Sequence, residues 1–399
     1  MTPGFEMGNH TSFTRRESAM STERVRIVYL VSTLRRAGPT MQLLNIVRHL
    51  DRRRFDPIVV TLSPESADSM LDPFGKLGVT VRSLSMSRVR AAFHRGWRGD
   101  IERLLGAELD GLSVVHSQGI RGDFISSKQL AGVPRVATVR NYPHDDYTMK
   151  FGPLLGRWMA RAHLRAFRAL PVVVACSSTL SGMLRSQGIA STVIRNGVDV
   201  AKFRAVLPEE RSRLRLELGL AKKGRMGVCV GSLVVRKDSL SIVRAVRAVA
   251  DPALTLNFVG SGSLEASCRR AAEGDGRIRF VGQVADVAPY LRAADFFVSA
   301  SRAEGLPNAA LEAIACGLPV ILSDIGPHRE ILELAPWAGE LFTTGNEPAL
   351  AAAIGRVASS TADHAGRAAG TIAELLGAEG MSRRYQELYL RLSREAARP

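Results

Sequence analysis

The chain has 399 residues, 46% hydrophobic and 6% aromatic, which is too long for one ordinary core and suits two α/β domains plus a tail. No run of about 18 apolar residues occurs, which argues against a membrane-spanning segment, and the four cysteines (Cys176, Cys229, Cys268, Cys316) contain no CxxC pair, which argues against a disulfide framework or a zinc site and fits a reducing compartment. The formal net charge is +16, and residues 1–200 hold 28 Lys+Arg against 16 Asp+Glu; the rest holds 26 against 22, so the first half carries most of a field that favours a polyanion, an anionic membrane or phosphorylated small molecules, beside its ordinary use for solubility.

Residues 1–22 mix Gly, Ser, Thr and Arg without periodicity and lack the apolar stretch of a signal peptide, so they read as a disordered leader. A first domain over 23–200 follows. Its continuous apolar run at 25–31 predicts a buried parallel strand. A helix is expected over 42–50 and strands at 58–62 and 79–84. A further strand ends at 114–115 and leads into His116, and a helix covers 122–130. Strands at 136–139, ending on Arg140-Asn141, and at 172–175 complete this half. Between them, 151–168 carries apolar residues at 151, 154, 155, 158, 159 and 162, with Arg157, Arg161, Arg165 and Arg168 as a basic stripe. Such a helix either packs on the core with a solvated basic face or lies on an anionic membrane.

Asn196-Gly197-Val198-Asp199 is a turn signal, and the inter-domain linker is expected near 198–208. A second domain, 201–380, alternates again. Strands are expected at 227–230, 254–259, 278–281, 296–299 and 320–322, with helices such as 240–249 and 264–272. The terminal 381–399 reads as an amphipathic helix packing back toward the first domain. Strand–helix repetition in both halves predicts an α/β protein of two Rossmann-like, doubly wound domains, with a ligand in the cleft at the carboxyl ends of the strands.

The most informative stretch runs from Ser301 to Glu312. Pro307 suits a first helical turn, because its missing N–H would be unpaired there. The N–H groups of Asn308 and Ala309, just after Leu306, would then face an anion such as a diphosphate. Glu304 stands on the loop before the helix and Glu312 just over a turn inside it. Two carboxylates around a phosphate cradle suit a nucleotide-sugar, one gripping sugar hydroxyls and the other the ribose. The E-x7-E pair within EGLPNAALEAIACGLPVILSD resembles the retaining glycosyltransferases of family 4. The resemblance covers nearly the whole chain after residue 23 and is strongest over 226–335.

That resemblance implies a GT-B fold, and sugar transfer from a nucleotide-sugar with retention of configuration. The donor would be a UDP-sugar, or a GDP-sugar in the alternative, and the acceptor a glycan or lipid-linked intermediate. It also implies a cytoplasmic location with possible peripheral contact with anionic membrane, no nucleic-acid partner, no cofactor and no metal; no DxD motif is present. By the same resemblance Lys237 neutralises the donor diphosphate after the strand ending at Gly231. The family often has arginine where this chain has Ser232, and the neighbouring Arg236 is a candidate substitute. Gly260-Ser261-Gly262 ends a strand and either lets backbone approach the sugar or is an ordinary tight turn; Phe280–Val284 resembles the family segment whose backbone contacts the base, with Gln283 either at that contact or a plain loop residue. Gly38 matches a glycine-rich turn near the phosphates, although Pro39 removes one N–H there.

His116 resembles a histidine common at that place, which either lines the cleft or is a hydrogen-bonded structural group. Arg140 falls where many relatives carry a histidine near the reacting sugar. Arginine is no base at neutral pH but can hold a phosphate or carboxylate bidentately. The implied mechanism is a front-face substitution in which the departing diphosphate helps accept the acceptor's proton. Rival readings are another GT-B enzyme, such as a nucleotide-sugar epimerase or a phosphorylase, an idle scaffold, and a basic nucleic-acid-binding protein. The last lacks a helix-turn-helix, zinc or RNA-binding signature.

Overall fold

The computed structural model describes residues 24–86, 96–110, 112–221, 223–359, 370, 372 and 374–396; the expected leader, 1–22, lies outside the described residues. The first sheet holds β1 (Val25–Val31), β2 (Phe55–Thr61), β3 (Thr80–Ser83), β4 (Ser113–Gln118), β5 (Arg135–Val139), β6 (Val172–Ala175) and β7 (Thr192–Val193), ordered β3-β2-β1-β4-β5-β6-β7. The second holds β8 (Met226–Val230), β9 (Thr255–Val259), β10 (Ile278–Gly282), β11 (Phe296–Ser299), β12 (Val320–Ser323) and β13 (Gly339–Phe342), ordered β10-β9-β8-β11-β12-β13. Neighbouring strands are parallel throughout.

The apolar runs follow from that arrangement. A parallel strand covered on both faces needs side chains without polar atoms on either side. Ile27, Val28, Tyr29 and Leu30 accordingly have no exposed surface. Strand order reverses between β1 and β4 in one sheet and between β8 and β11 in the other. Connections leave in opposite directions at those points, which opens a crevice at the strand ends. The two crevices are where the loops carrying Gly38, Gly231, Lys237 and Glu304 emerge.

The helices framing the cleft are α1 (Gly38–Arg48), α2 (Ile120–Gln129), α3 (Pro143–Phe151), α4 (Pro153–Arg168), α5 (Ser178–Arg185), α6 (Asn308–Ala315), α7 (Gly326–Leu334) and α8 (Ala378–Ala396). At the turn Asn196–Asp199, Gly197 is fixed to the first sheet's α1: the Gln42 amide donates to its carbonyl and accepts from its N–H, both at 2.9 Å. Residues 376–378 lie alongside, with Val198 N–H donating to Leu376 O and Ala378 N–H to Val198 O, each at 2.8 Å. Helix α8 then lies against the first domain, where Tyr385, Leu388, Tyr389 and Leu392 join a buried cluster with Tyr29, Leu43 and Phe55. A second tie is Glu330 of α7. Its carboxylate accepts from the N–H groups of Ser178 and Thr179 at the start of α5, both at 2.9 Å, and from Arg195 Nε at 2.8 Å. An acidic side chain there satisfies helix N–H groups that have no intrahelical partner.

Candidate active site at the domain cleft

On the second-domain side, α6 begins one residue later than expected. Pro307 is its N-cap, with φ −73° and ψ 109°, and the helix starts at Asn308. The Pro307 carbonyl accepts from the N–H groups of Ala310 and Leu311 at 3.2 and 3.3 Å. The N–H groups of Asn308 and Ala309 belong to the first turn, where a helix N–H has no intrahelical acceptor. Asn308 also ties the two domains. Its Nδ2 donates to Gly38 O at 3.3 Å, and its Oδ1 accepts from Asn196 Nδ2 at 2.9 Å. The same Asn196 amide donates to Leu306 O at 2.9 Å. Gly305 closes the contact, since a Cβ there would lie 1.8 Å from Arg140 O.

Glu304 is the electrostatic centre. Its Oε1 accepts from Lys237 Nζ at 2.5 Å and from Ser301 Oγ at 2.8 Å, and its Oε2 accepts from Arg236 Nη1 at 2.8 Å. The carboxylate is only 6% exposed. Burial pushes its pKa up, but Lys237 and Arg236, with the hydrogen bonds from Lys237 and Ser301, overcome that and hold it at about 2. Arg236 also donates to Ala303 O at 2.8 Å and stands 3.7 Å from Asp146 of the first domain. Two cations thus share the Glu304 carboxylate beside the helix terminus.

Glu312, one turn into α6, is shifted the other way, to about 7, because burial dominates; Lys202 pulls it down and Asp286 pushes it up. Gly231 lies under the stem of Lys237, with a Cβ position 3.6 Å from Cε. Ser232 is exposed on the same loop, and Arg236 brings its guanidinium to the carboxylate beside Lys237. Gln283 is also exposed, and its Oε1 accepts only a long 3.5 Å bond from Ser261 Oγ.

On the first-domain side a cavity of about 300 Å3 is lined by Gln118, Thr138, Arg140, Tyr147, His163 and Phe167 among others. Arg140 Nη1 donates to Asn196 Oδ1, whereas Arg140 Nε and Nη2 and Gln118 Nε2 are buried without a hydrogen-bond partner. Buried donors left unpaired are costly, of order 1–3 kcal/mol each, and an acceptor-rich ligand group would relieve them.

His116 does not belong to this site. Strand β4 runs on to Gln118, so His116 is mid-strand rather than at a strand end, and it has no exposed surface. Its Nδ1 meets Tyr389 Oη and its Nε2 meets Thr138 Oγ1, both at 2.7 Å. Burial, with Arg140 adding to it, drives its pKa down to about 3. Both ring nitrogens are engaged, one with Tyr389 of α8 and the other with Thr138 of β5, so none is left for a substrate. Tyr389 lies 273 residues away at the other end of the chain, where no local pattern could disclose it.

The apolar face of 151–168 is also placed differently from the packing alternative. Gly152 breaks the segment into the hairpin α3–α4, and α4 buries Gly156, Ala160, His163, Leu164, Ala166 and Phe167. Leu154, Leu155 and Trp158 face outward, 84%, 51% and 67% exposed, beside the exposed Arg157, Arg161, Arg165 and Arg168. Among the described residues no helix is long and apolar enough to cross a membrane. Sequence reasoning missed Asn196 and Asp146. The Asn196-Gly197 pair registered only as a turn, and Asp146 sits in an unremarkable run of polar residues.

Comparison with known proteins bears on both halves. The family model described as Glycosyltransferase Family 4 matches residues 37–202, and that described as Glycosyl transferases group 1 matches residues 224–360. The chain is 31% identical over 201 residues to the putative teichuronic acid biosynthesis glycosyltransferase TuaC of Bacillus subtilis, covering 50% of this chain and 49% of that protein. It is 36% identical over 147 residues to a GDP-mannose-dependent monoacylated α-(1-6)-phosphatidylinositol monomannoside mannosyltransferase of Corynebacterium glutamicum, covering 34% of this chain and 39% of that one. The chain thus spans about half or less of the length of these curated relatives. Its fold is that of Anabaena HepE, solved in complex with UDP and glucose, with a TM-score of 0.75 at 18% identity over 92% of this chain and 99% of that one. The first-domain and second-domain models fall on the two sheets whose crevices face each other here, and the chain belongs to glycosyltransferase family 4.

Proposed function

We propose that the protein transfers a sugar from a nucleoside-diphosphate donor to an acceptor hydroxyl, with retention at the anomeric carbon. The observation that carries this reading is the Lys237–Glu304–Arg236 cluster at the N-terminus of α6. The anomeric C–O bond to the β-phosphate breaks, and its electron pair leaves with the nucleoside diphosphate. Lys237, Arg236 and the N–H groups of Asn308 and Ala309 stabilise that developing charge. The acceptor oxygen bonds to the same face of the anomeric carbon, and its proton passes to the departing phosphate oxygen. Glu304 orients the sugar hydroxyls and Glu312 the ribose, with Gly38, Gly231, Ser232, Leu306 and Gln283 lining the donor. HepE was solved with UDP and the Corynebacterium relative is GDP-mannose-dependent, so a UDP-sugar is the first donor to test and a GDP-sugar the second.

The acceptor occupies the first-domain cavity, and the unpaired Arg140 and Gln118 donors suit a phosphate or carboxylate on it. The hairpin α3–α4 lines that cavity with Tyr147 and His163 and carries Leu154, Leu155 and Trp158 outside, which supports a lipid-linked acceptor reached at the inner face of an anionic membrane. The deciding experiment measures donor hydrolysis and transfer across UDP-, GDP- and ADP-sugars, with and without a membrane extract. Transfer from one nucleotide, lost in Lys237→Ala and Glu304→Ala, is expected; a folded protein that binds and turns over no donor overturns the reading, and product formed without any acceptor points to an epimerase.

A further inference from the structure

A chain of side chains that the transfer chemistry above does not use runs along the floor of the first-domain cavity. Ser117 Oγ donates to Asp123 Oδ1 at 2.6 Å, and Asp123 Oδ2 lies 2.8 Å from His163 Nε2. His163 Nδ1 lies 2.7 Å from Tyr147 Oη. Four elements deliver these groups: β4 supplies Ser117, α2 Asp123, α4 His163 and α3 Tyr147. The aspartate and histidine side chains are 1% and 6% exposed, so water does not compete for them. Phe167 packs on the imidazole with ring centroids 4.2 Å apart, and the Tyr147 ring lies 5.8 Å from it at 21°.

The placement is built into the sequence. Gly156 has no Cβ where one would sit 2.5 Å from Tyr147 O and from Thr148 Cα. Its absence lets α4 close onto α3 and brings the tyrosine over the histidine. Any larger residue there would push the hairpin open.

We infer that this chain fixes the Tyr147 hydroxyl as a hydrogen-bond acceptor facing the cavity, where it grips and orients the hydroxyl of the sugar acceptor that attacks the donor. An ionised carboxylate only accepts, so the Asp123 contact keeps the proton of a neutral imidazole on Nε2. Nδ1 then carries a lone pair and accepts the hydrogen bond that the Tyr147 O–H donates. The Tyr147 oxygen is left with lone pairs toward the cavity, which suits an O–H donor and rejects a carbonyl or an ether at the same place. The residue beside it, Asp146, stands 3.7 Å from Arg236, so the gripped hydroxyl lies next to the donor loop. Tyr147 would contact the acceptor; His163 and Asp123 act through it as positioning residues. The inference rests on the sugar-transfer reading and names the group that reads the acceptor.

The test uses the full-length protein, the nucleotide-sugar that the wild type turns over, and a detergent extract of total membranes diluted in series as the acceptor. Tyr147→Phe should raise the half-saturating amount of extract about five- to tenfold, the worth of one lost hydrogen bond, with a smaller loss of the maximal transfer rate. Asp123→Asn keeps the hydroxyl but offers an amide N–H to Nε2. The ring proton then moves to Nδ1, Tyr147 Oη must accept from it, and the half-saturating amount should rise in the same direction. Melting temperatures establish that both variants are folded. Unchanged half-saturation in Tyr147→Phe, or a fall of the maximal transfer rate with half-saturation unmoved, overturns the inference. A wild type that hydrolyses donor yet transfers to nothing in the extract overturns the transfer reading and this one with it, a result distinguishable because it appears before any variant is made.

Discussion

Lys237 Nζ and Arg236 Nη1 approach the two oxygens of a single carboxylate, Glu304, at 2.5 and 2.8 Å. The pairing holds two cations in a nearly dry place without a donor present. It also sets what each member does when a diphosphate arrives. Lys237→Ala removes a charge needed in the transition state and should lower kcat by roughly 100- to 1,000-fold. Glu304→Gln frees both cations for phosphate, so affinity for UDP should rise a few-fold, by about 1 kcal/mol or less, while transfer falls about 100-fold for want of sugar orientation. Calorimetric titration of UDP beside a transfer assay separates the two effects. Weaker UDP binding by Glu304→Gln would show that the carboxylate builds the phosphate site rather than restraining it.

The two glutamates of the E-x7-E pair are shifted in opposite directions, which gives opposite pH signatures. Glu304 is held at about 2, below its ordinary 4.5, so its contribution to stability is present above 4.5 and is lost as pH falls toward 2. Glu312 is raised to about 7, chiefly by burial, so its contribution is present below 4.5 and is lost as pH rises through 7. Glu312→Gln should therefore gain on the wild type by of order 2 kcal/mol between pH 4.5 and pH 8. Thermal melts at those two pH values check it. An equal gap between the proteins at both pH values would mean that the glutamate titrates normally.

The opposite shifts also mark how far the sequence could be read. The spacing of Glu304 and Glu312, the strand before them and the helix after them were local, so periodicity and turn chemistry disclosed them. The alternating halves and the expected cleft followed from the same local signals. What was hidden is long-range. Asn196 gains its meaning from Arg140, 56 positions before it, and from Leu306 and Asn308, more than a hundred positions on, and His116 from Tyr389 in the last helix. The 151–168 stripe failed for a different reason. Helical spacing identifies an apolar face but not what it faces, and here Gly156 and Ala160 meet the protein while Leu154 and Trp158 meet solvent.

The placement of His116 separates a structural role from a catalytic one. His116→Gln should leave turnover of the folded protein within about threefold. It should lower stability by about 2–4 kcal/mol, because Tyr389 or Thr138 loses its partner inside the core. Acid acts on the same group. The folded pKa, about 3, is below the ordinary 6.5 of the unfolded chain, so the unfolded state binds the proton first and stability drops as pH falls below 6.5. Denaturant melts beside a transfer assay decide the matter; a 100-fold loss of transfer at unchanged melting temperature would return His116 to the reaction.

The outward face of α4 makes the last case, and there the charge pattern decides between possible occupants. Leu154, Leu155 and Trp158 form an exposed apolar strip on one hairpin, and Arg157, Arg161 and Arg165 lie along it with no acidic residue anywhere in α4. A second protein surface would be expected to meet some acidic complement; a bilayer with anionic headgroups matches both the apolar strip and the single sign of charge. Inserting a leucine or tryptophan is worth roughly 1–3 kcal/mol, and each arginine near an anionic surface adds about 1 kcal/mol. Leu154→Glu with Trp158→Glu should therefore weaken binding to phosphatidylglycerol vesicles at least 100-fold. Arg157→Glu with Arg161→Glu should remove the preference for anionic over zwitterionic vesicles and leave weak apolar binding. Neither pair touches the Lys237–Glu304 cluster, so hydrolysis of a soluble donor should persist in both, while transfer to membrane-borne acceptor falls with vesicle binding. Flotation of the wild type that is independent of anionic lipid would remove the membrane from this account, and transfer to a membrane extract that survives both pairs would place the acceptor in solution.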